Sequence, residues 1–222
     1  MATARRTDPE EIAVTITLTQ QLGVSEYPRA LDALHHSIRP DGPVPAPTGH
    51  VAASVAALPS AEPTPLRRFG LAVTPPPGGA DRPPPPVPDD VAERFATGLL
   101  DLHRAVLRRA FDQALEHLGE RSSEGASLLA RQLVQAQLAD IAMALREDEA
   151  MPPERRCGDG AARWRTHQRL VRIGRTILYL FGAAGFLLDG PAGELYLAEV
   201  TGNLYLHPGA PRPGRSTEDH HA

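Results

Sequence analysis

The chain has no lysine; all 23 of its basic residues are arginine. That absence excludes a P-loop lysine, a Schiff-base lysine and a kinase-type phosphate lysine at once. It has one cysteine, Cys157, so no intrachain disulfide can form, which fits a reducing compartment and sets cytoplasmic as the expected location. No apolar run approaches the length of a membrane span, and the opening "MATARRTDPEE" has two arginines but no apolar stretch behind them, unlike a secretory signal. The net charge of −4 gives no bulk attraction to nucleic acid or to an anionic membrane. Metal-type Cys/His spacing, HExxH, GxSxG, GxxxxGK[ST] and a GxGxxG after a strand are all missing. A soluble protein is expected, with no resident metal, no nucleic acid and no membrane among its partners.

Proline, by contrast, is abundant and uneven: 15 of 23 prolines lie between Pro40 and Pro88. With Gly42, Gly49, Gly78 and Gly79 and few large apolar residues, that stretch reads as a disordered linker, its "PPPGGADRPPPPVP" a semi-rigid polyproline spacer. Residues 1–39 precede it as a small N-terminal element. Asp8, Pro9 and Glu11 signal a helix start, yet Ile12, Val14, Ile16 and Leu18 alternate as in a strand, so the type of this segment stays open. "RALDALHHSI" after Pro28 is more clearly helical, with adjacent His35 and His36 read as surface residues because neighbours on a helix point about 100° apart.

From Asp89 the texture becomes helical. Leu100, Leu107, Phe111 and Leu115 or Leu118 recur at helical spacing behind an Asp89/Asp90 cap. A second helix carries Leu129, Leu133 or Val134, Leu138, Ile141 and Leu145, and ends in "REDEA" before Pro152 and Pro153. Acids are mildly unfavourable at a helix C-terminus, so the prolines set that end. A third covers roughly 161–181 with Leu170, Ile173, Ile177 and Leu180 or Phe181 inward; a fourth starts near Pro191 with Leu195 and Tyr196. The expected fold is all-α: a four-helix bundle over 89–209 with antiparallel neighbours, followed by a disordered tail over 210–222. Seven arginines fall between Arg155 and Arg175, and Arg165, Arg169 and Arg172 share a face. A solvated face is the first reading, an anionic cofactor or partner the second, nucleic acid the last, since only Trp164 is interleaved.

Two segments carry a resemblance. "ERSSEGASLLARQLVQAQLAD" supplies Arg121, Gly125, Leu128, Gln132, Leu138, Ala139 and Asp140; "FGAAGFLLDGPAGELYLAEVTGNLYLHPG" supplies Gly182, Gly185, Phe186, Asp189, Pro191, Leu195, Leu204 and Tyr205. Order and separation resemble the C-terminal helical domain of acyl-CoA dehydrogenases, over about residues 89–209. In that family a carboxylate removes the α-proton of an acyl thioester while hydride passes to flavin N5, and the arginine of an Arg-x-x-Phe-Gly motif reaches the FAD pyrophosphate of a neighbouring subunit. The resemblance therefore implies FAD, shared with a partner chain, with Arg121, Ser123, Gln132, Gly182 and Ala183 as its contacts here and acyl-CoA as the substrate class.

The departures are as specific as the matches. Glu124 replaces the motif's Phe, and Leu206 stands where the family's catalytic Glu is expected, so no catalytic residue is assigned; the alternative placement of a base on the first helix beside an arginine would fall on Glu93, next to Arg94. The proline-rich stretch before Asp89 does not read as the flavin-ring domain of the family. Two functions are expected on this basis. One is a truncated member acting as a subunit or accessory half of an FAD-dependent acyl-CoA oxidoreductase, with another chain of the family or a second copy of itself as partner. The other is a non-catalytic helical association module that no longer binds FAD.

Overall fold

The computed structural model describes residues 26–76, 87–123, 125–186 and 190–208, with the side chains of Ala184 and Phe186 left out. The segment of open type before residue 26, the tail over 210–222, Glu124 and Asp189 lie outside the described residues. In chain order the elements are α1 (Tyr27–Ile38), β1 (Val51–Ser54), β2 (Leu71–Thr74), α2 (Asp89–Glu120), β3 (Ser122–Ser123), β4 (Ala126–Ser127), α3 (Gln132–Ala150), α4 (Pro153–Cys157), α5 (Gly160–Leu180) and α6 (Pro191–Leu206).

The four long helices α2, α3, α5 and α6 make a bundle. Asp89 and Asp90 in the first turn of α2 complement its positive end. Its buried face, from Phe95 and Leu99 through Leu107 to Leu118, includes Ala110 and Ala114, both fully buried, where a missing side chain lets neighbouring helices come close. Side-chain pairs fix the directions. Ser127, ahead of α3, donates to the Leu118 carbonyl near the end of α2 while Asp148 near the end of α3 meets Arg104, so α3 runs back along α2. Contacts of Glu93 with Arg163, His103 with His167 and His117 with Phe181 set α5 parallel to α2. Those of Arg109 with Glu194 and Phe95 with Tyr205 bring α6 back down.

Burial differs sharply among the helices. On α5 the expected inward stripe of Leu170, Ile173, Ile177, Leu180 and the following Phe181 is buried, and Asp159 caps the helix by accepting from the Ala162 amide at 2.6 Å. Helix α6 is enclosed on most sides, from Ala192 to Leu206, while Tyr196 stays 43% exposed. Helix α3 is the opposite case: only Ile141 and Asp148 are buried, and of the two alternatives at one position Val134 is half-buried while Leu133 is 73% exposed.

Two readings of the sequence need correction. Residues 40–76, assigned above to a disordered linker, contain an antiparallel pair in which Val51 faces Thr74 and Ser54 faces Leu71. Val44, Ala46, Ala52, Ala53, Phe69, Leu71 and Ala72 of this stretch are buried. Composition misleads here because most of these side chains are small and their cover comes from elsewhere in the chain. The Tyr205 hydroxyl of α6 accepts from the Ala52 amide at 3.0 Å and donates to the Val44 carbonyl at 3.2 Å. His35, read as a surface residue, is buried at 4% exposure. Its Nε2 donates to the Ala52 carbonyl (2.8 Å), its Nδ1 accepts from the Val44 amide (3.0 Å), and its ring stacks on Phe95 at 4.5 Å. His36 is exposed.

Candidate functional site

Arg121 follows the last residue of α2 in extended conformation, which ends the helix and turns its side chain outward. The β3–β4 hairpin then reverses the chain through Gly125, whose φ of 81° lies in the region that favours glycine, and returns it to the start of α3. Gln132 is the first residue of α3, and Arg131 before it donates to the Ser123 carbonyl at 2.7 Å. On the parallel helix α5, Phe181 ends the last turn and Gly182 breaks it with φ 55° into the 3₁₀ turn Gly182–Phe186. The two helix ends meet: the His117 ring lies 5.4 Å from that of Phe181, and His117 Nε2 accepts from Arg121 at 3.3 Å.

Arg121, Ser123, Gln132, Gly182 and Ala183 thus lie at one end of the bundle, and all five are exposed. Among the described residues Arg121 pairs with no carboxylate. An uncompensated guanidinium, a hydroxyl, an amide and two glycine turns without obstructing side chains suit an extended polar anion such as the diphosphate of FAD. Because every position is exposed, this end presents a surface rather than an enclosure for a flavin ring.

Leu206 and Glu93 stand at the other end. Leu206 closes α6 and is buried at 6% exposure; Tyr205 beside it packs on Phe95 of α2 at 4.8 Å. Glu93 has a 56% exposed side chain 3.7 Å from Arg163. With α2 rising about 1.5 Å per residue, the Phe95 level and Arg121 are separated by roughly 40 Å.

Between the two ends runs a line of buried polar groups that sequence reasoning missed. Asp148, 1% exposed, accepts from Arg104 Nε at 2.6 Å and is also bound by Arg169, so one carboxylate joins α2, α3 and α5. It occupies the acidic helix end that the sequence reading attributes to the following prolines alone. Glu194 at the start of α6 is bound by Arg109, Nε to Oε2 at 3.0 Å; burial first, then Glu26, raises its pKa while Arg109 opposes the shift. His103 and His167 face each other at 5.4 Å. His167 donates from Nε2 to Asn203 at 3.1 Å, and Trp164 packs against its ring. Burial, aided by His167 and Arg104, lowers the pKa of His103 to about 3. The i, i+4 arrangement of Arg165 and Arg169 was visible in the sequence, but Asp148, the acid that Arg169 meets, was not, since that pair joins separate helices. Among the described residues no group of three or more His, Cys, Asp or Glu could hold a metal ion, and no helix is long and apolar enough to cross a membrane.

The fold defines a helical-bundle domain with one exposed polar end. Residues 92–201 match the family model described as acyl-CoA dehydrogenase, C-terminal domain, and this part of the chain is an acyl-CoA dehydrogenase C-terminal-like domain. Among solved structures, butyryl-CoA dehydrogenase from Megasphaera elsdenii is similar at 16% identity over 52% of this chain and 33% of that one, with a TM-score of 0.44. The chain therefore spans about a third of the length of that relative. No curated protein matches significantly.

Proposed function

We propose that this protein is an accessory half of an FAD-dependent acyl-CoA oxidoreductase, holding the polar part of FAD jointly with a partner chain of the same family or a second copy of itself. The observation that carries the reading is the convergence of Arg121, Ser123, Gln132, Gly182 and Ala183 on one exposed end, with a guanidinium that no described carboxylate neutralises. Arg121 would hold a phosphate by charge-assisted hydrogen bonds, Ser123 and Gln132 would orient the neighbouring polar groups, and the backbone at Gly182 would approach closely. Bound flavin would supply the hydride acceptor, and the residues around it would come from the partner. The roughly 40 Å between Arg121 and the Leu206 level favours this division, because a cofactor gripped at one end leaves its reacting ring away from the other.

The test is flavin absorbance after co-purification with candidate partner chains. A yellow complex and a colourless isolated chain are expected. Arg121→Ala should weaken FAD retention by about 1.5 to 3 kcal/mol, the scale of a hydrogen bond to a charged group; full retention in that variant would remove Arg121 from the site. The second reading, an association module without FAD, is favoured by the exposed Leu133 and Met143 of α3, at 73% and 60%. It gains if a partner complex forms and stays colourless when FAD is added.

A further inference from the structure

The Arg121 end leaves the arginine-rich start of α5 unexplained. There the chain turns from α3 through Met151 and the short α4 into α5, and the corner forms an open hollow of about 600 Å³. Arg155 of α4 and Arg165, Arg169 and Arg172 of α5 line it, together with Thr166. Positions 165, 169 and 172 fall one turn apart on the same face of α5, so three guanidiniums are stacked along one wall and Arg155 approaches from the second.

Local acids do not neutralise this wall. Four arginines face two acidic lining residues, Glu154 and Asp159, and Asp159 is engaged in capping α5 through the Ala162 amide. Asp148 is saturated by Arg104 as well as Arg169, and Arg169 Nε remains buried without a partner. Arg172 reaches only the Gln168 carbonyl of its own helix, at 3.3 Å, and among the described residues Arg155 and Arg165 make no ion pair. Like charges stacked at one turn repel in a helix. A solvated face relieves that repulsion by splaying the side chains over convex surface; here they converge on a concavity instead, in a protein whose overall charge is −4. The cap on α5 also shows that the helix N-terminus is already satisfied, so any anion would be held by guanidiniums.

We infer that the hollow between α4 and α5 binds a small molecule bearing two adjacent phosphates. Four guanidinium forks, each able to take two oxygens, exceed the oxygens of a single phosphate and suit the larger set that a diphosphate presents. The volume suits a ligand of nucleotide size. The site is separate from the FAD-facing end, with Arg165 and Gly182 roughly 25 Å apart along α5 at about 1.5 Å per residue.

Calorimetric titration of the full chain with ADP, inorganic diphosphate and inorganic phosphate, at about 50 mM salt so that screening stays low, tests the inference. ADP and diphosphate should bind at least about 10-fold more tightly than phosphate, and Arg165→Gln and Arg172→Gln should each weaken them by about 10-fold or more. Both side chains are exposed, so these variants leave the core intact, and circular dichroism at the same concentration confirms the fold. Arg146→Gln, on α3 and outside the lining, should leave the affinity unchanged. Equal binding of all three anions, no binding, or affinities indifferent to Arg165→Gln and Arg172→Gln would overturn it. Tighter retention of a single-stranded oligonucleotide than of ADP would also overturn it. Loss of ADP affinity in Arg165→Gln with FAD retention by the partner complex intact separates the failure of one site from that of the other.

Discussion

His103 is 3% exposed in the middle of the bundle, with Nδ1 buried and without a partner and a second histidine 5.4 Å away. A charged imidazole there would lose its hydration and face Arg104, so burial holds the folded pKa at about 3 while the unfolded chain keeps the ordinary 6.5. Between those values the unfolded state binds a proton that the folded state refuses. Stability is therefore complete above about 6.5 and falls as the pH drops towards 3, by at most about 1.4 kcal/mol per pH unit for one such group. His35 and His167, whose pKa values burial also lowers, add in the same direction. Comparing urea unfolding at pH 7 and pH 5, His103→Gln should remove about 2 kcal/mol of the acid-induced loss. An identical loss in the variant would show that His103 is protonated in the folded protein. Gly202 illustrates the same tightness without charge: a Cβ there would meet the His167 ring at 2.1 Å, so the ring's position depends on that missing side chain.

At the scale of elements, the segment over 26–76 depends on a few side chains that reach it from the bundle. Tyr205 bonds both Val44 and Ala52, and the Tyr27 hydroxyl meets Thr201 of α6 at 2.5 Å. Tyr205→Phe keeps the ring on Phe95 but strands the buried Ala52 amide, which should cost about 1 to 3 kcal/mol. The loss should appear in hydrogen exchange at Ala52 before the amides of α2; equal and unchanged protection at both would mean that the strand pair stands without the bundle. This dependence also explains what could be read in advance. The periodic apolar spacing of α2 and α5 was legible because each buries one broad stripe. The strand pair was not, because Ala52, Ala53 and Ala72 carry little hydrophobic signal and acquire their cover from residues some 150 positions later in the chain. Arg121 and Gly182 were legible as motif positions. Their meeting at one end was expected only from the resemblance, which makes both contacts of one FAD; apolar spacing does not show it, since it rests on α2 and α5 running parallel, with α3 between them in sequence.

At the scale of the whole molecule, the placement of carboxylates argues that this chain by itself does not oxidise acyl-CoA. The position at which the family resemblance puts a base holds Leu206, buried and unable to accept a proton. A positioned base is typically worth about 10² to 10⁴ in rate. Glu194 is buried nearby in sequence but committed to Arg109, and Asp148 to two arginines. Releasing Glu194 would leave the largely buried Arg109 guanidinium uncompensated, at a cost of about 3 to 5 kcal/mol. Glu93, the alternative base that the resemblance offers, is exposed, yet it sits beside Arg163 at the end of α2 far from Arg121, so a flavin gripped at Arg121 would not bring its reacting ring to it. Dye-coupled assays of the isolated chain with short, medium and long acyl-CoAs and added FAD should give no turnover. Turnover abolished by Glu93→Gln would establish Glu93 as the base after all. Turnover that survives Glu93→Gln would mean that the chain is a complete catalyst, and the accessory reading would fall.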